Sequence, residues 1–261
     1  MAQSPAMNVM RAAVEKAGRA LRRDFGEVEN LQVSKKGPGD FVSQADLKAE
    51  KILFEELSEA RPGYGFLMEE RGVVEGADTT HRWIIDPLDG TTNFLHGIPH
   101  FAISVALERE GTLVAGIVYN PITDELFFAE RGQGAYGPGG RLRVSGRNKL
   151  SDAVISTRFA YKSPDGFKTP APEIEKLLPQ VAGLRNFGSA ALDLAYVAAG
   201  RFDGYVEFGL EAWDYAAGIV LVREAGGLVS DETNRQKMLE NGNMVAGNED
   251  LHEALLKSLK T

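Results

Sequence analysis

From Phe101 to Phe128 the chain contains three runs rich in β-branched and aromatic residues. They read FAISVAL, LVAGIVY and ELFFAE, and the breaks between them, Glu110-Gly111 and Asn120-Pro121, have the composition of turns. Consecutive strands joined by such short breaks are typical of an antiparallel meander. The segment therefore argues against a doubly wound sheet, whose strands run mainly parallel.

Segments with a helical pattern precede and follow this meander in the sequence. Apolar residues recur at helical spacing in 5–24, Asp46–Leu57, Ser189–Ala199, Asp214–Ala225 and Leu251–Leu259. Ser189 and Asp214 are N-cap candidates, and Gly200 and Gly226 follow the ends of their helices. Short strands are predicted at Phe66–Met68, Trp83–Ile85 and Ala153–Thr157, and turns or loops at Lys35–Asp40 and Tyr161–Pro172. Residues 137–149 are rich in Gly, Arg and Pro and are predicted to lie at the surface. Helices interleaved with antiparallel strands predict a layered α+β fold.

The composition excludes several kinds of chemistry. The 261 residues include no cysteine, so disulfides, thiolate metal sites and thiol nucleophiles are excluded. The net charge is −8, which disfavours non-specific binding to nucleic acid. The N-terminal residues lack the apolar segment of a signal peptide, and no run of about 18 apolar residues occurs. We therefore expect a cytoplasmic protein without a membrane segment.

The segment Trp83–Phe94 carries the clearest chemical signal. An apolar strand ends in two carboxylates three residues apart, Asp86 and Asp89, and Pro87 stiffens the turn between them. Gly90 and Thr91 then begin a turn or short helix, whose free N–H groups bind anions. Carboxylates beside such an amide cradle are suited to hold Mg²⁺ together with a phosphate. Taken alone, the two aspartates are equally compatible with turn formation.

More acidic residues follow the same pattern elsewhere in the chain. Glu69 and Glu70 close a short apolar strand, and Asp214 follows Trp213 at the start of a strongly apolar helix. Helix capping alone would explain Asp214.

These segments resemble the inositol monophosphatase family of Mg²⁺-dependent, lithium-sensitive phosphomonoesterases. One family signature is similar to WIIDPLDGTTNFLH (Trp83–His96), and a second to WDYAAGIVLVREAGG (Trp213–Gly227). Shorter matches are Asp40–Asp46, Met68–Glu70, Gly188–Ala191 and Glu207–Gly209. The resemblance spans nearly the whole chain in the family's order.

The resemblance implies a layered αβαβα sandwich of the inositol monophosphatase and fructose-1,6-bisphosphatase type. Residues 1–261 would form a single phosphatase domain. An N-terminal lobe of about 1–140 would carry the DPLDGT motif, and a C-terminal lobe of about 141–261 would complete the site with Glu207 and Asp214.

The resemblance also implies a metal site with two to three Mg²⁺ ions. Glu69, Asp86 and the backbone carbonyl of Leu88 would hold the first ion. Asp86, Asp89 and Asp214 would hold the second, and a weaker third ion would lie near Glu69. Two such ions relieve the mutual repulsion of the carboxylates and stabilise both the attacking and the leaving oxygen of an in-line displacement.

Catalytic and substrate-binding roles are implied in the same way. Asp46 would orient the Thr91 hydroxyl, and Thr91 with Glu69 would position and activate the attacking water. The amides of Gly90 and Thr91 would hold the phosphate. The alcohol part of the substrate would contact Asp89, Gly188, Ser189, Ala190, Glu207 and Asp214. Ser189 stands where the family usually has threonine.

Several other motifs carry weaker signals. Gly132–Gly137 fits the G-x-G-x-x-G pattern, but Pro138 follows in place of a helix, so a hairpin or loop tip is predicted. The aspartates of Asp86–Thr91 are one residue too far apart for a dehalogenase-type phosphatase. Gly97 and Pro99 between His96 and His100 exclude a helical metal pair. The Lys35-Lys36 pair and the basic stretch of Arg141, Arg143 and Arg147 are typical of solvated surface.

Two functions from different classes remain open. The first is hydrolysis of myo-inositol monophosphate or a related small polyol or sugar phosphate. The second is a regulatory role on a phosphatase scaffold that contacts transcription machinery or RNA, although the acidic charge disfavours direct RNA binding. Other substrates within the family are fructose 1,6-bisphosphate, histidinol phosphate and 3′-phosphoadenosine nucleotides. Glu211-Ala212, where many relatives have a basic residue and proline, argues against bisphosphates. The resemblance further implies a homodimer.

Overall fold

The structure is a computed structural model. It describes residues 4–27, 33–37, 40–159, 161–163, 166–168 and 172–260, and for 33–37, 40–43, 161–163, 166–168 and 172–173 it describes the backbone alone. The helices are α1 (Pro5–Phe25), α2 (Gln44–Ala60), α3 (Thr91–Leu95), α4 (Pro172–Leu177), α5 (Ala190–Ala198), α6 (Ala212–Glu224), α7 (Met238–Asn241) and α8 (Glu249–Lys260). Short 3₁₀ turns lie at Leu150–Asp152 and Leu178–Gln180.

The strands form two large sheets and two hairpins. They are β1 (Val33–Gly37), β2 (Asp40–Ser43), β3 (Tyr64–Met68), β4 (Gly72–Val74), β5 (Asp78–Asp89), β6 (Ala102–Arg109), β7 (Thr112–Asn120), β8 (Glu125–Glu130), β9 (Gly134–Gly137), β10 (Gly140–Arg141), β11 (Val154–Thr157), β12 (Tyr161–Ser163), β13 (Gly166–Lys168), β14 (Gly183–Arg185), β15 (Gly204–Glu207), β16 (Leu228–Ser230) and β17 (Met244–Gly247). One sheet has eight strands in the order β10-β9-β8-β7-β6-β5-β3-β4, and the other has five in the order β14-β11-β15-β17-β16.

The predicted meander is confirmed. Strands β5 to β10 pair with their neighbours antiparallel, and only β3 and β5 pair in parallel within the larger sheet. The G-x-G-x-x-G segment is the β8–β9 hairpin, and both of its first two glycine N–H groups donate to the Glu224 carboxylate at 2.8 Å. No helix follows it, as the sequence indicated.

Alternation along the strands sends side chains into different layers. Trp83 and Ile85 on β5 point to a core shared with α1 and α2, whereas Ile84 points to a second core built largely by α5 and α6. Residues of β15 and β17 close the other side of that second core, and their opposite face packs against α4 and α8. The order of layers is therefore αβαβα, and the predicted fold class is confirmed.

The first helix illustrates why the sequence folds this way. Met7, Met10, Val14, Ala17 and Leu21 recur on one face of α1 and are fully buried. Ser4 caps the helix by accepting a hydrogen bond from the Met7 N–H at 3.1 Å, and Pro5 occupies the first helical position. Among the described residues no helix is both long and apolar enough to cross a membrane.

Two local predictions need correction. Lys35–Gly37 and Asp40, predicted as one turn, belong to the paired strands β1 and β2, while Pro38 and Gly39 lie outside the described residues. Within the predicted loop Tyr161–Pro172, the described backbone forms the β12–β13 hairpin and the start of α4. The larger sheet is formed within residues 64–141 and the smaller one within residues 154–247. The lobe boundary near residue 140 stays a prediction.

Candidate active site

A cavity of about 160 Å³ opens where the ends of the larger sheet meet the first turns of α5 and α6. It is lined by Glu69, Asp86, Leu88, Asp89, Gly90, Thr91, Thr92, Arg158, Asn186, Gly188, Ser189, Ala190, Asp193, Glu207, Leu210 and Asp214. Every site residue expected from the sequence lines this cavity except Asp46, which contacts Thr91 from behind. The structure therefore brings the expected residues together.

The register of two parallel strands places Glu69 beside Asp86. Met68 on β3 is paired with Ile85 on β5, and the Glu69 N–H donates to the Ile85 carbonyl at 3.2 Å. Parallel strands that end together bring the residues after them to the same edge of the sheet. The two carboxylates therefore leave neighbouring strands at adjacent positions.

A bulge in β5 separates Asp86 from Asp89. Asp86 is paired with Ser104 and Asp89 with Ala102, so one extra residue of β5 stands between the two pairings. The Asp86 carboxylate accepts the Leu88 N–H at 2.9 Å, which folds the bulge around the aspartate. The predicted turn between the carboxylates is thus part of the strand itself.

Asp89 is held by the start of α5. Its Oδ2 accepts the Ser189 hydroxyl at 2.6 Å and the Ala191 N–H at 2.7 Å. Ser189 is the N-cap residue by position, as predicted, but its side chain makes no capping hydrogen bond and reaches Asp89 instead. This long-range contact joins the larger sheet to the helical layer between the sheets.

Gly90 and Thr91 form the turn into α3. Gly90 has φ = +98°, and an added Cβ would lie 3.1 Å from the His100 carbonyl oxygen and 3.2 Å from that of Gly188. The Thr91 hydroxyl lies 3.1 Å from Asp46 Oδ1 and also 3.1 Å from the Leu88 carbonyl oxygen. Asp46 is fully buried, so the orientation of Thr91 is set from inside the protein.

Asp214 enters the cavity from α6. The helix begins at Ala212, two residues before the predicted start, with Glu211 as its N-cap residue. Asp214 is therefore not the N-cap; it is the third helical residue, and its Oδ2 accepts the Glu211 N–H at 2.8 Å. Ser104, the partner of Asp86, donates to the Trp213 carbonyl at 3.2 Å and so fixes this end of α6 beside β6.

Glu207 lies at the end of β15 with 6% of its surface exposed. Its Oε2 accepts the hydroxyl of the buried Tyr205 at 2.6 Å, and its Oε1 lies 3.5 Å from a guanidinium nitrogen of Arg158. One carboxylate oxygen is thus engaged with the protein, while the other faces the cation on the cavity wall.

Several acidic residues of the cavity have raised pKa values. Burial raises the pKa of Asp86 well above its ordinary value, and the charges of Glu69, Asp89 and Asp214 raise it further. Burial and the charge of Asp89 also raise the pKa of Asp214. Burial raises the pKa of Asp89 to about 6, although the hydrogen bonds from Ser189 and Ala191 oppose the rise. Glu207 is raised by burial to a pKa of about 7, with Arg158 opposing.

The donor set fits a hard divalent cation. Mg²⁺ prefers carboxylate and carbonyl oxygens, and Glu69, Asp86, Asp89, Asp214 and the Leu88 carbonyl supply such oxygens around one cavity. In the described part of the chain, no three acidic or histidine side chains are already grouped to hold a metal ion. One oxygen each of Asp86, Asp89 and Asp214 accepts a local hydrogen bond, and the other oxygen of each is the one that could bind a cation.

Sequence reasoning missed three charged residues at or near the site. Arg158 follows the buried strand β11, and Asp193 lies within the apolar helix α5. The sequence signal that could have identified them is a charged residue next to or within an apolar run. Asp193 Oδ1 lies 3.6 Å from Nε2 of His100. Glu50 on α2 is 2% exposed and accepts the N–H groups of Glu70 and Arg71.

The cavity lining does not include His96 or His100. His96 ends α3 and contacts the Thr92 carbonyl, so His96 and His100 do not share one helix face. Glu211 is exposed and does not line the cavity. The side chains of Lys35 and Lys36 lie outside the described residues.

Comparisons with known proteins agree with this geometry. The sequence model of the inositol monophosphatase family matches residues 2–261. The inositol-1-monophosphatase of Mesorhizobium japonicum is 62% identical over 260 residues, covering 100% of this chain and 98% of that protein. Nus factor SuhB of Escherichia coli (strain K12) is 43% identical over 256 residues, covering 98% and 96%. The crystal structure of extragenic suppressor protein suhB from Bartonella henselae is 55% identical, with a TM-score of 0.93 and 99% of each chain covered.

Proposed function

The chain belongs to the inositol monophosphatase family of phosphoric monoester hydrolases, and on this premise we propose that it is a Mg²⁺-dependent phosphatase. The proposed substrate is myo-inositol monophosphate or a related small polyol or sugar phosphate. The observation that carries the proposal is the meeting of Glu69, Asp86, Asp89 and Asp214 beside the Gly90-Thr91 turn in one cavity.

The proposed cofactor is Mg²⁺, with two to three ions in the site. Glu69, Asp86 and the Leu88 carbonyl would hold one ion, and Asp86, Asp89 and Asp214 another; a third would lie near Glu69. Such ions lower the pKa of water and stabilise the negative charge that develops on the phosphoryl oxygens. The raised pKa values of Asp86 and Asp214 support this proposal, because crowded carboxylates are stabilised by a cation.

Thr91, Asp46 and Glu69 are proposed to prepare the attacking water. The Thr91 hydroxyl has one proton, and either Asp46 Oδ1 or the Leu88 carbonyl oxygen accepts it at 3.1 Å. With its proton directed inward, the Thr91 oxygen accepts a hydrogen bond from the water and orients it. Glu69, on the same cavity wall, is the proposed acceptor of the proton that leaves the water.

The remaining residues are proposed to bind the substrate. The N–H groups of Gly90 and Thr91 would hold the phosphate, since the first N–H groups of a helix have no partner within the helix and α3 begins here. Asp89, Gly188, Ser189, Ala190, Glu207 and Asp214 would contact the alcohol part. Glu207 is suited to accept hydroxyl groups, because Tyr205 holds its other carboxylate oxygen in place.

A panel of phosphate monoesters tests the proposal. We expect phosphate release from inositol 1-phosphate with MgCl₂ and none with EDTA. Asp214→Asn is expected to lose at least about 10²-fold in kcat, whereas the exposed control Asp152→Asn keeps full activity. Release that persists in EDTA, or unchanged turnover of Asp214→Asn, would contradict the metal assignment.

We further propose that the chain acts as a homodimer, as its family resemblance implies, and that it is located in the cytoplasm. Sedimentation of the purified chain measures the oligomeric state directly. A single species with the 28.3 kDa mass of one chain would contradict the dimer.

A regulatory role is the second candidate, and the relative named Nus factor SuhB favours it. In this case the chain would contact the transcription machinery through protein surfaces, since its net charge of −8 opposes direct RNA binding. Retention of RNA polymerase by both the wild type and the inactive Asp214→Asn variant would support it. The absence of retention would oppose it, independently of the phosphatase assay.

A further inference from the structure

Arg158 is the only lysine or arginine among the residues that line the described cavity. It directly follows β11, the central strand of a parallel trio with β14 and β15. The other charged side chains on the cavity wall are carboxylates. Among the side chains that line the cavity, Arg158 is therefore the one that carries a positive charge and can pair with a negative group.

The pairing of Arg158 with Glu207 is loose. The closest approach is 3.5 Å, from one guanidinium nitrogen to Glu207 Oε1, and 48% of the arginine side chain is exposed. A guanidinium carries five N–H donors in a planar fork that matches carboxylate and phosphate groups. This contact uses at most a small part of that capacity, so the fork remains accessible from the cavity.

Arg158 lies on the side of the cavity where the alcohol part of a substrate is proposed to bind. Arg158 stands next to Glu207, which the proposed function places against the alcohol part, whereas the proposed phosphate cradle lies at Gly90 and Thr91. A second anionic group on the substrate would therefore reach Arg158 while the ester phosphate occupies the cradle. Glu211, the negative charge expected to repel such a group, lies outside the cavity lining.

We propose that Arg158 is a specificity-determining residue that selects phosphate monoesters carrying a second anionic group on the alcohol part. This inference rests on the proposed phosphatase function and specifies its substrate class. The second group is a phosphate or a carboxylate, since both fit the guanidinium fork bidentately. Loss of a charge-assisted hydrogen-bonded pair weakens binding by about 10- to 100-fold.

The test compares substrates that differ in the second anion alone. Fructose 1,6-bisphosphate and fructose 1-phosphate share the same ester at C1. We expect the wild type to prefer the bisphosphate in kcat/KM by about 10-fold or more, and Arg158→Gln to remove that preference through KM. The variant's kcat/KM for fructose 1-phosphate is expected to stay within about threefold of the wild type. A second pair, 3-phosphoglycerate and glycerol 3-phosphate, determines whether a carboxylate is also recognised.

Variants separate recognition from a general loss of charge or stability. Arg158→Lys keeps the charge without the fork and is expected to retain part of the preference. The exposed Arg143, outside the cavity, supplies the control Arg143→Gln, which is expected to behave as the wild type. An equal loss of kcat/KM for both fructose esters in Arg158→Gln would overturn the proposal, because Arg158 would then act only as a counter-charge for Glu207. A wild type without any preference would also overturn it.

Failure of the proposed function has a different signature. If no ester is hydrolysed with MgCl₂, the phosphatase proposal fails, and calorimetric binding of the same two fructose esters still decides the role of Arg158. Tighter binding of the bisphosphate by the wild type, abolished in Arg158→Gln, would support the inference. Equal binding of the two esters would overturn it.

Discussion

Oε2 of Glu50 lies 2.8 Å from the backbone nitrogen of Glu70 and 3.3 Å from that of Arg71. The same helix, α2, carries Asp46 one turn earlier, and Asp46 Oδ1 lies 3.1 Å from the Thr91 hydroxyl. Residues four apart share one helix face. One face of α2 therefore supports both groups proposed to prepare the attacking water: Thr91 through Asp46, and Glu69 through the turn that follows it.

Replacement of Glu50 is predicted to impair turnover more than substrate binding. In Glu50→Ala the two N–H groups after Glu69 lose their buried acceptor, so Glu69 loses its fixed position. We expect kcat to fall by about 10-fold or more with KM nearly unchanged. Glu50→Gln retains an oxygen acceptor and is expected to recover much of the loss. Equal kcat values for the two variants would contradict a positioning role.

Removal of the Thr91 hydroxyl is predicted to reduce kcat by about 10²-fold or more, the usual effect of losing a group that assists proton transfer. Thr91→Val keeps the shape of the side chain, and Thr91→Ser keeps the hydroxyl as the matched control. Single-turnover measurement at saturating MgCl₂ isolates the chemical step. Similar rates for the valine and serine variants would remove Thr91 from the mechanism.

Asp89→Asn is predicted to lower turnover by at least about 10²-fold and yet stabilise the metal-free protein at neutral pH. The pKa of Asp89 is about 6 in the folded chain, above its ordinary value of 3.8. Because the folded chain binds this proton more tightly than the unfolded chain does, protonated Asp89 contributes to the free energy of unfolding. This contribution is fully present below pH 3.8 and is lost as the pH rises through 6. Asparagine has no such loss and still accepts the bonds from Ser189 and Ala191.

Thermal melts in EDTA across this range check the sign. The Tm difference between Asp89→Asn and wild type should be near zero at pH 4 and positive at pH 7 to 8, by about 2–4 °C for each kcal/mol recovered. A destabilised variant at pH 8 would show that the Asp89 charge is compensated within the protein.

Mg²⁺ is predicted to bind more tightly as the pH rises from 5 to 8. Asp86 and Asp214 have raised pKa values and must lose their protons before they bind a cation. At an ion concentration of about 100 Kd, the expected stabilisation is about 2.7 kcal/mol. Melts at increasing MgCl₂ measure it, and Asp214→Asn should reduce it. An equal Tm increase in the variant would indicate binding elsewhere.

Gly116→Ala is predicted to destabilise the chain. A Cβ at this position of β7 would lie 2.6 Å from the Ala217 carbonyl oxygen and 2.9 Å from its Cα, both of which are backbone atoms of α6. We expect a loss of about 1–3 kcal/mol in unfolding free energy, as for other overpacked sites. Gly139→Ala, which meets nothing within 4 Å, is the control and should leave Tm unchanged or slightly raised.

The helices and the meander were predictable because their signals are local. Apolar spacing identified α1 and α2, and turn composition identified the breaks within the meander. Strand β5 runs from Asp78 to Asp89, well beyond the predicted Trp83–Ile85, because Asp78–Arg82 are polar and pair through their backbone. Backbone pairing of polar residues leaves no hydrophobic pattern in the sequence.

The candidate site was predictable from its family motifs and less so from local rules. Capping preferences placed Asp214 at the N-cap, but the helix extends back to Ala212 and the carboxylate accepts from Glu211. The Ser189 hydroxyl bonds to a residue a hundred positions away, which helix-capping rules cannot anticipate. Arg158, Asp193 and Glu50 gain their importance only from tertiary neighbours.

The contact between Asp89 and the start of α5 has a consequence for how this protein loses function. One proposed metal ligand is anchored on the first sheet, and its hydrogen-bond donors belong to the helix layer that the second sheet covers. A small displacement of these layers relative to each other would lengthen the hydrogen bonds from Ser189 and Ala191 to Asp89. Activity therefore depends on the alignment of the layers. On mild heating we expect activity to be lost while the secondary structure persists.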